Sequence, residues 1–329
     1  MIQIQDIKDA HTRIKPYIHH TPVLQSSLLN QWLGHELFFK AECLQKIGAF
    51  KARGALNTVS WLKEKNIPVD HIVAQSSGNH AQAVAWAAKQ FDIPATIFMP
   101  SYASKIKMQA SRSYGAEVKL FDTRDEVDAQ VKKAAETMGT YWIHPFNHEQ
   151  VMSGQGTAAL EALYDYKDID AICAPCGGGG LLSGTYVAAK ALLPDIKVIG
   201  GEPVNANDAA MSIRAKSIQK LHGIPDTIAD GVMTPALGNL TFDYILKLDE
   251  MIEVTEYAIK YWTQWLNHLL KIRVEPTSAV AMAAIHQWLL GQSQPKRVMV
   301  ILSGGNVDQE SELKIWNTNF LDVVPCDFK

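Results

Sequence analysis

The stretch AICAPCGGGGLLSGTYVAAKALL, residues 171–193, decides how the fold is read. AICAP (171–175) is an apolar run of strand length, and LLSGTYVAAKALL (181–193) has the alanine and leucine content of a helix. Gly177, Gly178, Gly179 and Gly180 make the turn between them. The same alternation recurs on both sides. HIVAQ (71–75), ATIFMP (95–100), EVKLF (117–121), KVIGG (197–201) and RVMVILS (297–303) read as strands, while AQAVAWAAKQF (81–91), the segment 126–138 and GTAALEALYDY (156–166) read as helices. This pattern predicts an α/β fold with mostly parallel sheets. The units at 71–121 form one group and those after 150 another, with HPFNHEQ (144–150) as the passage between them. Two domains around a cleft are expected, and ligands favour the carboxyl ends of such strands.

One or two glycines suffice for a tight turn, so four in a row ask for another reason. They free the backbone to turn its N–H groups inward, and the helix that follows adds its positive end, which together suit a phosphate. The loop is not a Walker A motif, because no Lys-Ser/Thr pair follows, and it lacks the G-x-G-x-x-G spacing of a dinucleotide site. SSGNHAQ (76–82) is a second strand-to-helix loop, in which Ser76, Ser77, Asn79 and His80 gather polar donors at one helix start, fit for a carboxylate or phenolate oxygen. Capping explains one of these residues, not four. A third loop, ILSGGNVD (301–308), ends a buried strand in Ser303, Gly304, Gly305 and Asn306, and alone reads equally well as a turn.

QKIGAFKARGALN (45–57) places Lys51 among small and apolar residues just before a helix. Desolvation and the helix's positive end both disfavour its charge, which lowers its pKa and frees an amine as nucleophile. A lysine nucleophile, a glycine phosphate cup and an anion loop together point to pyridoxal phosphate.

Composition narrows the remaining classes. The 329 residues are 47% hydrophobic, enough for a sizeable core, and the 31 basic and 34 acidic side chains are spread along the chain. No basic patch argues for nucleic acid and no polybasic run for a membrane surface, so the expected partner is a small molecule. No apolar run is long enough to span a bilayer, and MIQIQDIKDA (1–10) lacks the apolar centre of a signal peptide, so a cytoplasmic location is expected. Cys43, Cys173, Cys176 and Cys326 are too few for a disulfide framework. CAPC (173–176) reads as a buried strand and its end rather than a zinc or redox pair.

The chain resembles the fold-type II pyridoxal-phosphate enzymes over nearly its whole length, and within them the serine/threonine dehydratase and serine racemase group. The resemblance is carried by HTPVLQSSLLN (20–30), LQKIGAFKARGALN (44–57), SSGNHAQA (76–83), GQGTAALE (154–161), CGGGGLLSG (176–184), GGEPVNAND (200–208), IADGV (228–232), VEPT (274–277) and LSGGNVD (302–308). It implies a small domain at 70–147 and a large cofactor-binding domain from 1–69 plus 148–329. It also implies that Lys51 is the Schiff-base lysine and that Phe50, Asn79, Gly177, Gly178, Gly179, Gly180, Leu181, Gly231 and Ser303 contact the cofactor. In that set Asn79 bonds the 3-oxygen and Ser303 the pyridine nitrogen. Ser76, Ser77, Asn79 and His80 are the implied substrate contacts, and a homodimer is the family expectation.

A hydroxyl at the ring nitrogen, unlike a carboxylate, does not stabilise a pyridinium, which suits β-elimination over long-lived carbanions. The implied activity is an ammonia-lyase reaction on L-serine and L-threonine, giving a 2-oxo acid and ammonia. Ser77 matches the serine that, in racemases of the group, protonates Cα from the face opposite the lysine, so racemisation of serine is a second implied outcome. Glu202, the Ala206 carbonyl and Asp208 match an all-oxygen site for Mg²⁺ or Ca²⁺. Lys46, Gln82, Lys271 and Asn306 resemble parts of a nucleotide site, which leaves ATP open as an effector. Ala49 replaces the serine common in the group, as it does in 3-hydroxyaspartate dehydratases. The alternatives are therefore a threo-3-hydroxyaspartate ammonia-lyase, whose substrate needs a cation for its second carboxylate, and a silent cofactor or amino-acid binder.

Overall fold

The computed structural model describes residues 1–103 and 105–328. The described residues form ten strands: β1 (Val23–Leu24), β2 (Glu36–Ala41), β3 (His71–Gln75), β4 (Ala95–Pro100), β5 (Glu117–Phe121), β6 (Thr140–Trp142), β7 (Ala171–Pro175), β8 (Lys197–Pro203), β9 (Glu250–Val254) and β10 (Arg297–Leu302). They form two sheets, one in the order β1-β2-β10-β7-β8-β9 and one in the order β5-β4-β3-β6. Only the short β1 runs antiparallel to its neighbour.

The larger sheet is buried on both faces, so its strands alternate between two cores rather than between core and water. Leu37, Phe39, Cys173, Val298 and Val300 pack with the helices Glu256–Leu270 and Pro276–Leu289. Phe38, Ile172, Ala174, Met299 and Ile301 point the other way, toward the helices Glu149–Asp165 and Gly180–Leu192. The smaller sheet rests Ile72, Ala74, Ile97 and Met99 against the helices Asn79–Lys89 and Lys51–Glu64, while Val73 and Phe98 meet Val127 and Val131 of the helix Arg124–Ala135. Lys51–Glu64 is thus shared between the units.

Glycines set how closely three of these helices stack. A Cβ on Gly154 would stand 2.6 Å from Gly54 Cα, and one on Gly184 would stand 2.6 Å from Gly156 N. Both lie well inside van der Waals contact, so Lys51–Glu64, Glu149–Asp165 and Gly180–Leu192 touch backbone to backbone.

Several elements lie outside the sequence reading. ELFFKA (36–41) is a strand buried from Leu37 to Ala41, and its apolar pattern is broken by the ion Lys40. The structure accommodates it by giving its Nζ two acceptors at 2.8 Å, Thr21 O and Glu161 Oε2. Thr140–Trp142 and Glu250–Val254 are edge strands, the first only three residues long and the second carrying two acids.

Lys40 belongs to a buried ion cluster centred on Arg53. The Arg53 guanidinium donates to both carboxylate oxygens of Glu42 (2.7 and 2.8 Å) and both of Glu161 (2.8 and 2.7 Å), and Thr21 Oγ1 donates to Glu42 at 2.5 Å. Arg53 and Lys40 are fully enclosed. Burial pushes the Glu161 carboxyl up, but the hydrogen bonds and charges of Arg53 and Lys40 together hold it down at about 2. Removing one partner strands the opposite charge without water, at a cost of about 3–5 kcal/mol. Arg53→Met should therefore lower the unfolding free energy from urea titration by that amount, and a loss under about 1 kcal/mol would show that the cluster is dispensable.

Candidate cofactor site

A cavity of about 490 Å³ opens at the carboxyl ends of the strands, between the two sheets. Lys51 reaches into it as the first residue of its helix. Its Nζ donates to Pro145 O at 2.8 Å and lies 5.1 Å from the Phe50 ring centroid. Among the described residues no carboxylate pairs with it directly. Burial pulls the amine down to about 8, against a smaller opposing pull from Glu275. The lowered pKa expected from desolvation is therefore present.

The glycine cup faces the same space. Cys176 N donates to Gly201 O and Ser183 N to Gly179 O, whereas the five N–H groups from Gly177 to Leu181 meet no acceptor among the described residues. Gly179, at φ +89°, makes the turn that starts the helix. A side chain at Gly178 would overlap the Phe146 ring, and a Cβ at Gly177 would stand 3.1 Å from Val232 Cα. Beside the cup, Thr234 Oγ1 is buried with no partner among the described residues. Open N–H groups, a helix start and an orphaned hydroxyl form a donor set that fits a phosphate.

The loop at 76–80 is less open than its sequence suggests. Ser77 is exposed to the cavity, but Ser76 Oγ accepts from Gly78 N at 3.1 Å. Asn79 Nδ2 donates to both oxygens of Glu275 (3.0 and 3.1 Å), and Asn79 Oδ1 accepts from Asn306 Nδ2 at 2.9 Å. This amide and carboxylate chain ties the loops after β3 and β10 to the start of the helix Pro276–Leu289. Burial lifts the Glu275 carboxyl to about 7, and the Asp230 charge adds to the rise. His80 is buried and donates Nε2–H to Ile143 O at 2.8 Å, and burial keeps it neutral. Its side chain is thus committed to the fold, while its backbone starts the helix.

Phe50, Lys51, Ser76, Ser77, Asn79, His80, the run Gly177 to Leu181 and Gly231 all border the cavity. Ser303 does not. It lies fully buried at the end of β10, its Oγ 3.4 Å from Ser278 Oγ, and its carbonyl accepts from Phe50 N at 3.0 Å. Glu202 and Asp208 lie apart, on β8 and at the start of the helix Asp208–Ala215, with Ala206 in the turn between.

Other cavity residues escape the sequence reading. HPFN (144–147), expected only as a passage between domains, supplies the carbonyl that holds Lys51 and the ring that backs the cup. Lys107 is buried at the cavity and paired with Asp230, and Arg124 Nη1 donates to Met233 O at 2.9 Å. Glu275 lies within VEPT, but nothing local marks it as the partner of Asn79.

The sequence family described as pyridoxal-phosphate dependent enzyme matches residues 14–304. A serine racemase of Dictyostelium discoideum is 44% identical over 96% of this chain and 98% of its own length. An L-threo-3-hydroxyaspartate ammonia-lyase of Saccharomyces cerevisiae is 41% identical over 93% of each chain. The crystal structure of a T.th. threonine deaminase superposes with a TM-score of 0.88, at 41% identity over 93% of this chain and 99% of that one. The chain belongs to the pyridoxal-phosphate dependent enzymes, and its fold is that of their type II members.

The contact between cup and ring gives a direct test. Gly178→Ala pushes a methyl into Phe146, and the affinity for added pyridoxal phosphate should fall at least about tenfold, or about 1.4 kcal/mol. Adding Phe146→Leu to Gly178→Ala should recover part of it. An unchanged affinity in Gly178→Ala, read by fluorescence titration, would show that the loop does not hold the phosphate.

Proposed function

We propose that this chain is an ammonia-lyase that converts L-serine and L-threonine to 2-oxo acids and ammonia, with serine racemisation as a second outcome of the same site. The observation that carries the reading is one cavity holding a buried lysine amine bound only to a backbone carbonyl among the described residues, a phosphate-shaped glycine cup and an exposed serine. Bound pyridoxal phosphate supplies an electron-withdrawing ring that makes Cα of an attached amino acid acidic. In this reading the N–H groups from Gly177 to Leu181 hold its phosphate, and Phe50, Gly231 and Asn79 line its ring. The Ser303 hydroxyl, buried beside Ser278 and outside the cavity lining, is the group that the resemblance assigns to the ring nitrogen. Lys51, with an amine near neutrality, takes the Cα proton, and Ser77 exchanges a proton with Cα from the other side. Ser76, Asn79 and the backbone of His80 receive the substrate carboxylate at the helix start. The matching division of the chain is 70–147 against 1–69 plus 148–329, supported by the two separate sheets.

A second reading is a threo-3-hydroxyaspartate ammonia-lyase, favoured by Lys107 and Arg124 at the cavity wall as cations for a second carboxylate. Both already have partners, Asp230 and Met233 O, which a dicarboxylate would have to displace. Measuring 2-oxo acid formation from L-serine, L-threonine and threo-3-hydroxyaspartate decides between the readings: turnover of the last alone replaces the first with the second. In the same assay Ser77→Ala should abolish D-serine formation and spare elimination from L-serine. Equal loss of both would remove Ser77 from its role.

Glu202, the Ala206 carbonyl and Asp208 are the proposed ligands of Mg²⁺ or Ca²⁺. Their chemistry fits: Glu202 accepts from the N–H groups of Ala209 and Ala210 (3.2 and 2.6 Å), and Asp208 Oδ2 is buried without a partner among the described residues. Burial lifts Glu202 to about 8 and Asp208 to about 7. Both folded values lie above the unfolded ones, so without a cation stability is lost as pH rises from about 4 to about 8. A divalent cation replaces the protons, and the melting-temperature gain on adding Mg²⁺ or Ca²⁺ should grow between about pH 6 and about pH 8. A gain that is absent at every pH would count against the site.

A homodimer and an ATP effector site belong to the same reading by resemblance. Of the residues matched to the nucleotide site, Asn306 has its amide committed to Ile47 O and Asn79. No described helix is long and apolar enough to cross a membrane.

A further inference from the structure

His144 has no place in the site described so far, yet it borders the cavity one residue from the carbonyl that holds Lys51. Its Nδ1 accepts from two backbone N–H groups, Phe146 at 3.4 Å and Asn147 at 3.0 Å. Two donors aimed at one ring nitrogen leave no room for a proton there, so the proton sits on Nε2. Nε2 meets no partner among the described residues, and unlike His80 Nδ1 it is not sealed from solvent. Burial, helped by the nearby Lys51 charge, holds the ring down at about 4. The cavity therefore contains a neutral N–H donor of fixed tautomer with nothing to bond.

An amino acid held by its α-amino group at the cofactor and by its carboxylate at the loop 76–80 has one polar group left, on Cβ. We propose that His144 Nε2–H donates a hydrogen bond to the β-oxygen of the substrate, making His144 the residue that selects β-hydroxy amino acids and orients their leaving group. This rests on the elimination reading above. As the Cβ–O bond breaks, its electron pair passes to oxygen, and a donor already aimed at that atom is worth most at that moment. The proton that completes the water is the one Lys51 takes from Cα, because a neutral ring giving up Nε2–H would become an imidazolate. His144 holds the oxygen and does not protonate it.

The test compares leaving groups. In the holoenzyme, His144→Phe should lower kcat/KM for L-serine and L-threonine about 10²-fold while changing elimination of chloride from β-chloro-L-alanine by less than about threefold. His144→Gln, which offers an N–H at a similar reach, should recover a substantial part of the loss. A second readout needs no turnover. In the Lys51→Ala holoprotein, absorbance titration should show L-serine binding more tightly than L-alanine, and His144→Phe should erase that preference. Equal loss on hydroxyl and chloride substrates in both variants, or an unchanged preference for serine, overturns the proposal. If the unaltered enzyme turns over neither substrate, the elimination reading falls, and the binding comparison still decides His144.

Discussion

The buried charges around Arg53 are the constraint on which the rest of the site depends. Arg53 stands two residues after Lys51 on one helix, and its guanidinium is shared between Glu42, at the end of a large-sheet strand, and Glu161, on the neighbouring helix. Ions without water tolerate little displacement, because every lost hydrogen bond leaves a desolvated charge. The cluster therefore fixes the position and rotation of the helix start. Lys51 can then be left without a counter-charge of its own, since its location is determined by its neighbour rather than by an ion pair.

That separation of tasks explains the electrostatics of the cavity. The ions of the Arg53 cluster that position the scaffold are paired with one another, whereas the groups facing the cavity have shifted or unspent capacity: the Lys51 amine at about 8, the Glu275 carboxyl at about 7 and the cup of N–H groups. Glu275 is the junction, because it receives Asn79, which in turn receives Asn306. Through it the loops after β3 and β10 and the start of the Pro276–Leu289 helix become one hydrogen-bonded surface. Perturbed groups gathered in one cleft are what a proton-transfer site requires.

Much of this is legible in the sequence, and the exceptions share a cause. β3, β4, β5 and β7 fall on the residues expected, because their apolar runs are bounded by clear turn signals. The strand ELFFKA is hidden by Lys40, whose partner Glu161 lies 121 residues away. Pro145 and Phe146 are hidden in the same way, since their importance lies in contacts with Lys51 and Gly178 that no local spacing announces. The glycine loop, the lysine and the serine loop are visible because each carries its chemistry within a few consecutive residues. Long-range pairing is what a single sequence conceals.

The stacking of three helices through Gly54, Gly154, Gly156 and Gly184 also bears on how such an enzyme can vary. Lys51 and the glycine cup begin two of those helices, and backbone contact through the third fixes the spacing between them. Ser76, Ser77, Lys107 and Arg124 hang instead from the smaller sheet, outside that stack. Under the proposed reading, holding the phosphate and the lysine is therefore mechanically separable from choosing the substrate. Exchanges on the smaller sheet can retune which amino acid enters while the chemistry beneath stays in register. A shared frame carrying racemase, deaminase and hydroxyaspartate-lyase relatives is what that division permits.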